Sequence, residues 1–508
     1  MAFTVGLAVG NALLAGGASF AFASAVVTAL PTIALIGAAT AYNVITTKRA
    51  ASASGAGAVS DPRGLQQSVL DAAPEHGLGL GYATLAGKPF FIRGGEANKP
   101  YFWVGVLLAA HECDGLDSIW INGTKVLIDP ATQLATSSPF NDGVTSFIEV
   151  SFRNGDIDQA IDPIIARDFP DMPATFRQRG HATAVLKAHY GTGEDRDARE
   201  DKHKTLYGEG QFTPLYRFRA SKVYDPRALN QAADDPSTWA WTRNATLNTV
   251  HYLCWKFPGM RARIDWDAVA RAADIDDEIV FSKAGRAMAR HTVDGVVSDG
   301  DEAAGVIRAL LSANSGRLVR QASGLSVMPA TQRRPVGTLH AGNIRGDIDY
   351  SRDMALGETV NTVKAECIIP GATADGGGNF QMLPLPVITD AAGLAADGQE
   401  RAVSPQLTFT EEHERGQRIA ARIAREARLG ETMTTGCDLS ALAWKVGETI
   451  TLDLAHILPR YSGEWELMKI GFDARAGHYR LDLRRYDSAI EDYNPSTDEQ
   501  SFQLAEAA

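Results

Sequence analysis

The first 47 residues of this chain contain no Asp, Glu, Lys or Arg, and the first charged side chain is Lys48. So long an apolar stretch has to be covered, because leaving it in water forfeits the free energy gained by burial. A membrane, an export pathway or another part of an assembly can supply that cover. "AFASA" (Ala21 to Ala25) imitates a signal cleavage site, yet the cationic residues of a secretory n-region are missing ahead of it. A spanning helix needs about 20 apolar residues. Two such helices fit on either side of Pro31, with Lys48 and Arg49 as flanking cations. Their apolarity is diluted by small residues: Gly6 and Gly10 form a G-x-x-x-G, and Gly16, Gly17 and Gly37 follow. That spacing lets helix backbones approach closely and favours packing against copies of the same segment. Residues 1–50 are therefore expected to form an apolar helical module. Residues 51–86, which include "ASASGAGAVSDPRG", are expected to form a flexible linker.

The remainder is ordinary in composition. With 508 residues, 45% hydrophobic and 22% charged, the chain can bury the cores of several globular domains. A formal net charge of −12 argues against a nucleic-acid-binding surface over the whole molecule. It suits a wall that DNA passes without being held. Cys113, Cys254, Cys367 and Cys437 are far apart with no C-x-x-C pair or zinc spacing, and they read as reduced core thiols.

From about Gly87 the pattern is one of short strands with turn punctuation, giving a first β domain over 87–235. "KPFFIRG", "YFWVGVLLAA" and "PLYRFRASKVYDPR" are strand-like, and Asn122-Gly123 supplies a two-residue hairpin turn. Asn154-Gly155 repeats the device, and "GEDRDARED" (Gly193 to Asp201) reads as a solvated loop. An α+β domain follows over 236–335. Its first helix, with Asp235 or Ser237 as candidate N-cap, stops at Pro258-Gly259. Helices at 265–275 and 301–316 follow, with Gly316 at the cap position, and then a strand pair turns at Ser323-Gly324. A third, mostly β domain spans 336–487. It contains the glycine turn "DGGGN" (Asp375 to Asn379) and one strong helix, 408–430, with Thr408 and Glu411 as a capping box. In that helix Ile419, Ile423 and Ala427 form an apolar stripe flanked by Arg415, Arg418, Arg422, Arg425 and Arg428. These arginines either coat a solvated helix face with local partners such as Glu426 or meet an acidic patch on a neighbouring subunit. Residues 488–508 read as a disordered tail. The expected class is α+β, mainly β, in several modules.

The search for chemistry nominates no catalytic, cofactor-binding or metal-binding residue. "GLGLG" (Gly77 to Gly81) lacks the third glycine of a dinucleotide loop and reads as a plain loop. "HECD" (His111 to Asp114) gathers metal-capable side chains that point in different directions, so a structural role is expected. "DIDDE" (Asp274 to Glu278) reads as a solvated helix end, since a glycosidase pair is defined by distance in space. The G-x-S-x-G, H-E-x-x-H and Walker patterns are absent. "WAWTRNATLNTVHYLCW" reads as core.

Taken in order, five stretches make the body resemble the tail-tip hub proteins of long-tailed bacteriophages, the family of the phage lambda host-specificity protein J and the tail hubs of gene transfer agents. "LAAHECDGLDSIWINGTKVL" is similar to the family's H-x-x-D-G hairpin, matched at His111, Asp114 and Gly115. "NATLNTVHYLCWKFPGM" with "IDWDAVARAADI" resembles its helical segment. "RHTVDGVVSDGDEAAGVIRALLSANSG" resembles its R-x-T-x-x-G stretch, matched at Arg290, Thr292 and Gly295. "RGQRIAARIAREAR" and "WKVGETITLDL" through "YRLDLRRYD" resemble the helix leading into the last barrel and the barrel itself. The likeness covers roughly residues 95 to 490, and its motifs are packing motifs.

The resemblance implies a homotrimer in which each subunit carries two tail-tube-like β-barrels, so that three subunits meet a sixfold tube. It implies a hub that closes the tube, meets the distal tail protein ring and the C-terminus of the tape-measure protein, and opens for viral DNA in transit. Lambda-type chains continue past the last barrel into fibronectin-like modules and a receptor-binding fibre. This one stops at Ala508, so a separate tail fibre or receptor-binding protein is expected to attach. The competing reading is a membrane-anchored or exported cell-wall hydrolase. In a trimer the apolar opening is present three times about one axis, either as a purely structural seal or as a sheltered plug that later enters the host membrane. The plug reading predicts that deleting residues 1–47 leaves assembled, adsorbing particles that fail to deliver DNA, scored by genome transfer per adsorbed particle. Normal transfer from such particles would rule the plug out.

Overall fold

The computed structural model of the chain describes residues 77–94, 101–189, 201, 204–207, 214–321, 323–352, 359–370 and 380–502. The uncharged opening, residues 51–76 of the linker, nearly all of the charged loop at 193–201 and the glycine turn at 375–379 lie outside the described residues. The architecture is α+β and mainly β, in several sheets.

The first block is two antiparallel sheets sharing one core. One sheet has the spatial order Lys88–Gly94, Tyr101–Ala109, Ala182–His189, Ile148–Asn154. The other is built on the long strand Pro214–Val223, which pairs with Tyr82–Leu85, Cys113–Ile121 and Ala240–Trp241. Strand alternation sends Val104, Val106 and Leu186 from the first sheet, and Ile119, Tyr216 and Phe218 from the second, into a common buried cluster. The hairpin after Cys113–Ile121 turns on Asn122 (φ 46°) and Gly123 (φ 83°), the positive pair that a right-twisted two-residue turn requires. Asn154-Gly155 does not repeat it. Asn154 pairs with Ala182, and residues 156–181 bulge out between the two strands. Gly155 is needed for close approach instead, since a Cβ there would lie 2.6 Å from the His111 carbonyl oxygen.

The middle block places helices Ala245–Lys256, Trp266–Asp276 and Ala303–Ser312 with the hairpin Arg317–Gln321/Gly324–Met328 around a second core, which includes Leu247, Val269, Leu310 and Val327. Asn244, rather than Asp235 or Ser237, caps the first helix by accepting from the Leu247 N–H, while Asp235 caps the short turn Pro236–Thr238. After the third helix Ser315 takes the positive φ, and the Gly316 N–H donates to the Leu311 carbonyl at 2.9 Å.

Residues 77–85 are not linker. Gly77–Leu80 pairs with Gly295–Ser298 of the middle block, and Tyr82–Leu85 enters the first. "GLGLG" is a strand-to-strand junction and not a loop, because its alternation is of period two: Leu78 and Leu80 are buried, and Gly79 admits Ala220, whose Cβ would lie 2.6 Å from an added one.

The third block carries a six-stranded sheet in the order Thr338–His340, Thr449–Asp453, Gly463–Asp473, His478–Arg485, Thr432–Cys437, Ile344–Ser351. Its two edge strands do not pair with each other, so within one chain the sheet is open. The strong helix starts at His413, not at 408. Thr408 and Glu411 belong to the strand Gln406–Glu411, and no capping box forms because Glu411 is buried against Arg217. The helix lays Ile419, Ala420 and Ala424 on Val363, Cys367 and Leu407. Residues 488–502, expected to be disordered, are folded onto that helix: Phe502 stacks on His413 at 5.2 Å and packs on the same core. All four cysteines are free thiols, with Cys254 partly and the others fully buried.

Gly81 has φ +55°, and a Cβ there would sit 2.0 Å from the Val293 carbonyl oxygen. Gly81→Ala combines left-handed strain with overpacking and should cost about 3 kcal/mol, read as a lower urea midpoint.

Candidate functional site

The side chains most able to do chemistry converge where the three blocks meet. At the first junction the Arg217 guanidinium donates to both oxygens of Glu411 at 2.9 and 2.6 Å, and Arg243 grips Asp294 in the same forked way at 2.8 and 2.7 Å. Both arginines lie over the Tyr82 ring, at 4.2 and 5.1 Å from its centre. Asp294 is wholly buried and also accepts from the Tyr82 N–H at 2.9 Å. Burial and the neighbouring Asp294 charge push the Glu411 carboxyl up, against the pull of Arg217 and Arg243. One cluster thus fastens a first-block strand, the entry to the first helix, and the strand leading into the arginine helix.

The second junction is larger. Glu466, 2% exposed, receives Arg317 and Arg333 in direct ion pairs and Arg484 at 2.9 Å. Arg484 also donates to Glu426 at 2.6 Å, Glu426 pairs with Arg422, and Arg422 reaches Glu491 at 2.8 Å. Four guanidinium groups and three carboxylates therefore form one chain through the middle hairpin, the long helix, the last sheet and the C-terminal segment. Burial, reinforced by the other guanidiniums around it, pushes Arg317 well down. Arg333 falls to about 10, mainly through burial.

Most of the helix arginines are not a solvated coat, because they meet partners within the chain. Arg415 is 2% exposed and donates to Glu412 at 2.9 Å and to the Ala289 carbonyl at 3.1 Å. Arg422 is in the network just described. Arg425 meets Asp498 at 2.9 Å, and Arg428 meets Asp397 at 3.0 Å. The expected local partner Glu426 does pair with Arg422, but the distant partners were not legible, because Glu491 and Asp498 lie in the presumed tail and Asp397 ends the short helix Ala391–Asp397. Only the count of arginines on a helix with an apolar stripe hinted at the pairing.

The other candidates are engaged structurally. His111, held neutral by burial, accepts from the Gly79 N–H at 3.0 Å through Nε2. Glu112 pairs with Lys222 and Asp114 with Arg219, each at 2.6 Å. Gly115 leaves room for that arginine, whose Nη2 would lie 2.8 Å from an added Cβ. In "DIDDE", Asp274 and Asp277 share Arg227, and Glu278 takes Arg290. Asp276 is not at a solvated end: it is wholly buried, 2.9 Å from His291 Nδ1, and accepts from the Thr246 N–H. Thr292 donates to Asp294 at 3.3 Å, and Gly295 (φ +142°) lets the Phe409 ring come within 3.0 Å of where its Cβ would be. Among the described residues, no three His, Cys, Asp or Glu side chains are grouped as a metal site, and no helix is long and apolar enough to cross a membrane.

No protein-family model matches this sequence, and no curated protein matches it. Solved structures do. A chain from the virion of a native gene transfer agent particle is similar with a TM-score of 0.52 and 16% identity, over 91% of this chain and 99% of that one. The two share a fold. A 43 kDa tail protein of prophage MuSo2 from Shewanella oneidensis aligns over 82% of this chain and 96% of its own, at 12% identity and a TM-score of 0.28. A tail protein from Neisseria meningitidis MC58 aligns over 81% and 99%, at 12% identity and 0.29.

The second junction sets an acid limit. Burial alone would raise the Glu426 carboxyl, but Arg422, Arg484 and Arg317 hold it at about 2, below its ordinary 4.5. A carboxylate depressed in the folded state stabilises fully above pH 4.5, and that contribution drains away as pH falls toward 2. The shift corresponds to about 3 kcal/mol. Glu426→Gln should lose about that much at pH 7 and flatten the acid limb of a denaturation series. An unchanged limb would assign the titration to another group.

Proposed function

We propose that this chain is a structural protein of a phage-like tail or gene transfer agent particle, placed at the distal end of the tail as a trimeric hub. The observation that carries the reading is the shared fold with a gene transfer agent virion chain over nearly the full length of both. The body supports it as well. Its chemistry-bearing side chains are spent on interblock ion pairs and turns, and buried forks of this kind fix the relative placement of parts within a chain.

In this reading the two packed sheets of the first block and the six-stranded sheet of the third correspond to the two tail-tube-like barrels, facing a tube of sixfold symmetry as three pairs. The open edges of the six-stranded sheet suit completion by neighbouring subunits. The hub would contact the distal tail protein ring, the C-terminus of the tape-measure protein and a fibre or receptor-binding protein. It would close the tube, and DNA would cross it only in transit. The net charge of −12 accords with a passage that does not retain a polyanion. Residues 1–47, three copies about the axis, would seal the lumen or enter the host membrane.

Light scattering coupled to size-exclusion of the purified full chain, together with a labelled particle image, tests this. A mass of three chains and a label at the tail end are expected. A monomer that degrades peptidoglycan would replace the hub with the cell-wall hydrolase.

A further inference from the structure

Beside the second junction lies a recess that the network does not fill. Arg290, Arg418, Arg422 and Arg425 converge on it with Ser315 and Tyr493. Three of these cations are matched: Arg422 by Glu426 and by Glu491, which itself lines the recess, Arg425 by Asp498, and Arg290 by Glu278 at 2.8 Å. Arg418 is not. No carboxylate among the described residues forms an ion pair with it, and its guanidinium lies over the Tyr493 ring, 4.6 Å from the centre. The hydroxyls of Tyr493 and Ser315 are both buried with no hydrogen-bond partner. A buried donor left unmatched costs about 1–3 kcal/mol, so two in one recess, beside an unmatched cation, describe a receptor for an acceptor-rich group.

We propose that this recess binds a small free oxyanion of the phosphate or sulfate class. Such an anion offers several acceptor oxygens to the Arg418 fork and to two hydroxyl donors, and guanidinium geometry suits it. It would also offset the excess of cations, because the adjoining network already sets four guanidiniums against three carboxylates. The recess is walled by five separate segments: the arginine helix, the stretch Arg290–His291, the turn after helix Ala303–Ser312, Ala330, and the C-terminal segment carrying Tyr493. A bound anion would therefore pin the C-terminal segment to the body.

The test is isothermal titration of the full chain with inorganic phosphate and with sulfate at constant ionic strength, using chloride as the control. Saturable binding of one anion per chain is expected. Amide hydrogen exchange in residues 488–502 should slow on binding. Arg418→Met should weaken phosphate binding by about tenfold or more through the lost charged fork. Tyr493→Phe removes only an unpartnered buried hydroxyl, so the anion-free protein should fold at least as stably as the wild type while its phosphate affinity falls, and this variant remains informative if Arg418→Met does not fold. Absence of saturable heat overturns the proposal. So does an equal response to chloride, or unaltered phosphate affinity in Tyr493→Phe.

Discussion

Everything in the body is organised around carboxylates that have left water. A buried carboxylate is tolerable only if cations and donors replace its hydration, and here those cations come from distant parts of the chain. Glu466 draws Arg317, Arg333 and Arg484 from three segments, and Glu411 draws Arg217 across nearly two hundred positions. Because each partner sits on a different sheet or helix, the blocks cannot shift without stranding a charge. Ion pairs of this type add little net stability compared with apolar packing, but losing one partner is severe, so they specify arrangement more than they strengthen it.

That division of labour explains the layout. Apolar clusters hold the sheets and helices together, and two of them also reach across blocks through Phe409 and Phe380, while the charged forks add directional contacts at the same junctions. The C-terminal segment belongs to the second kind. It has few apolar anchors besides Ile490 and Phe502, and it is held by Glu491 and Asp498 reaching arginines on one helix. Its order is electrostatic as well as hydrophobic.

Strands with clean alternation were legible from sequence, as were the Asn122-Gly123 hairpin, the helix beginning at Asp265 and the strand pair turning near Ser323. What failed did so for identifiable reasons. Glycine in "GLGLG" hid a strand whose alternate positions carry leucine, because close approach of Ala220 needs a residue without a side chain. The capping-box pattern at Thr408 and Glu411 was a coincidence of spacing, overridden by a long-range ion pair. The tail was misread because its charges look solvated until the opposing arginines are placed in space. No local pattern could have paired Arg217 with Glu411, or Arg333 with Glu466. The junctions were the least readable part of the chain, although their arginines were visible.

The strand Gly77–Leu80 enters the body not at an edge of the first block but in a four-residue ladder with Gly295–Ser298, deep in the order of the chain. The chain at residue 77 is thus fastened to the middle block before it enters the first. Force applied at residue 77 would therefore bear first on the Gly295–Ser298 strand, which directly follows the Thr292 and Asp294 contacts of the first junction, rather than on a chain end.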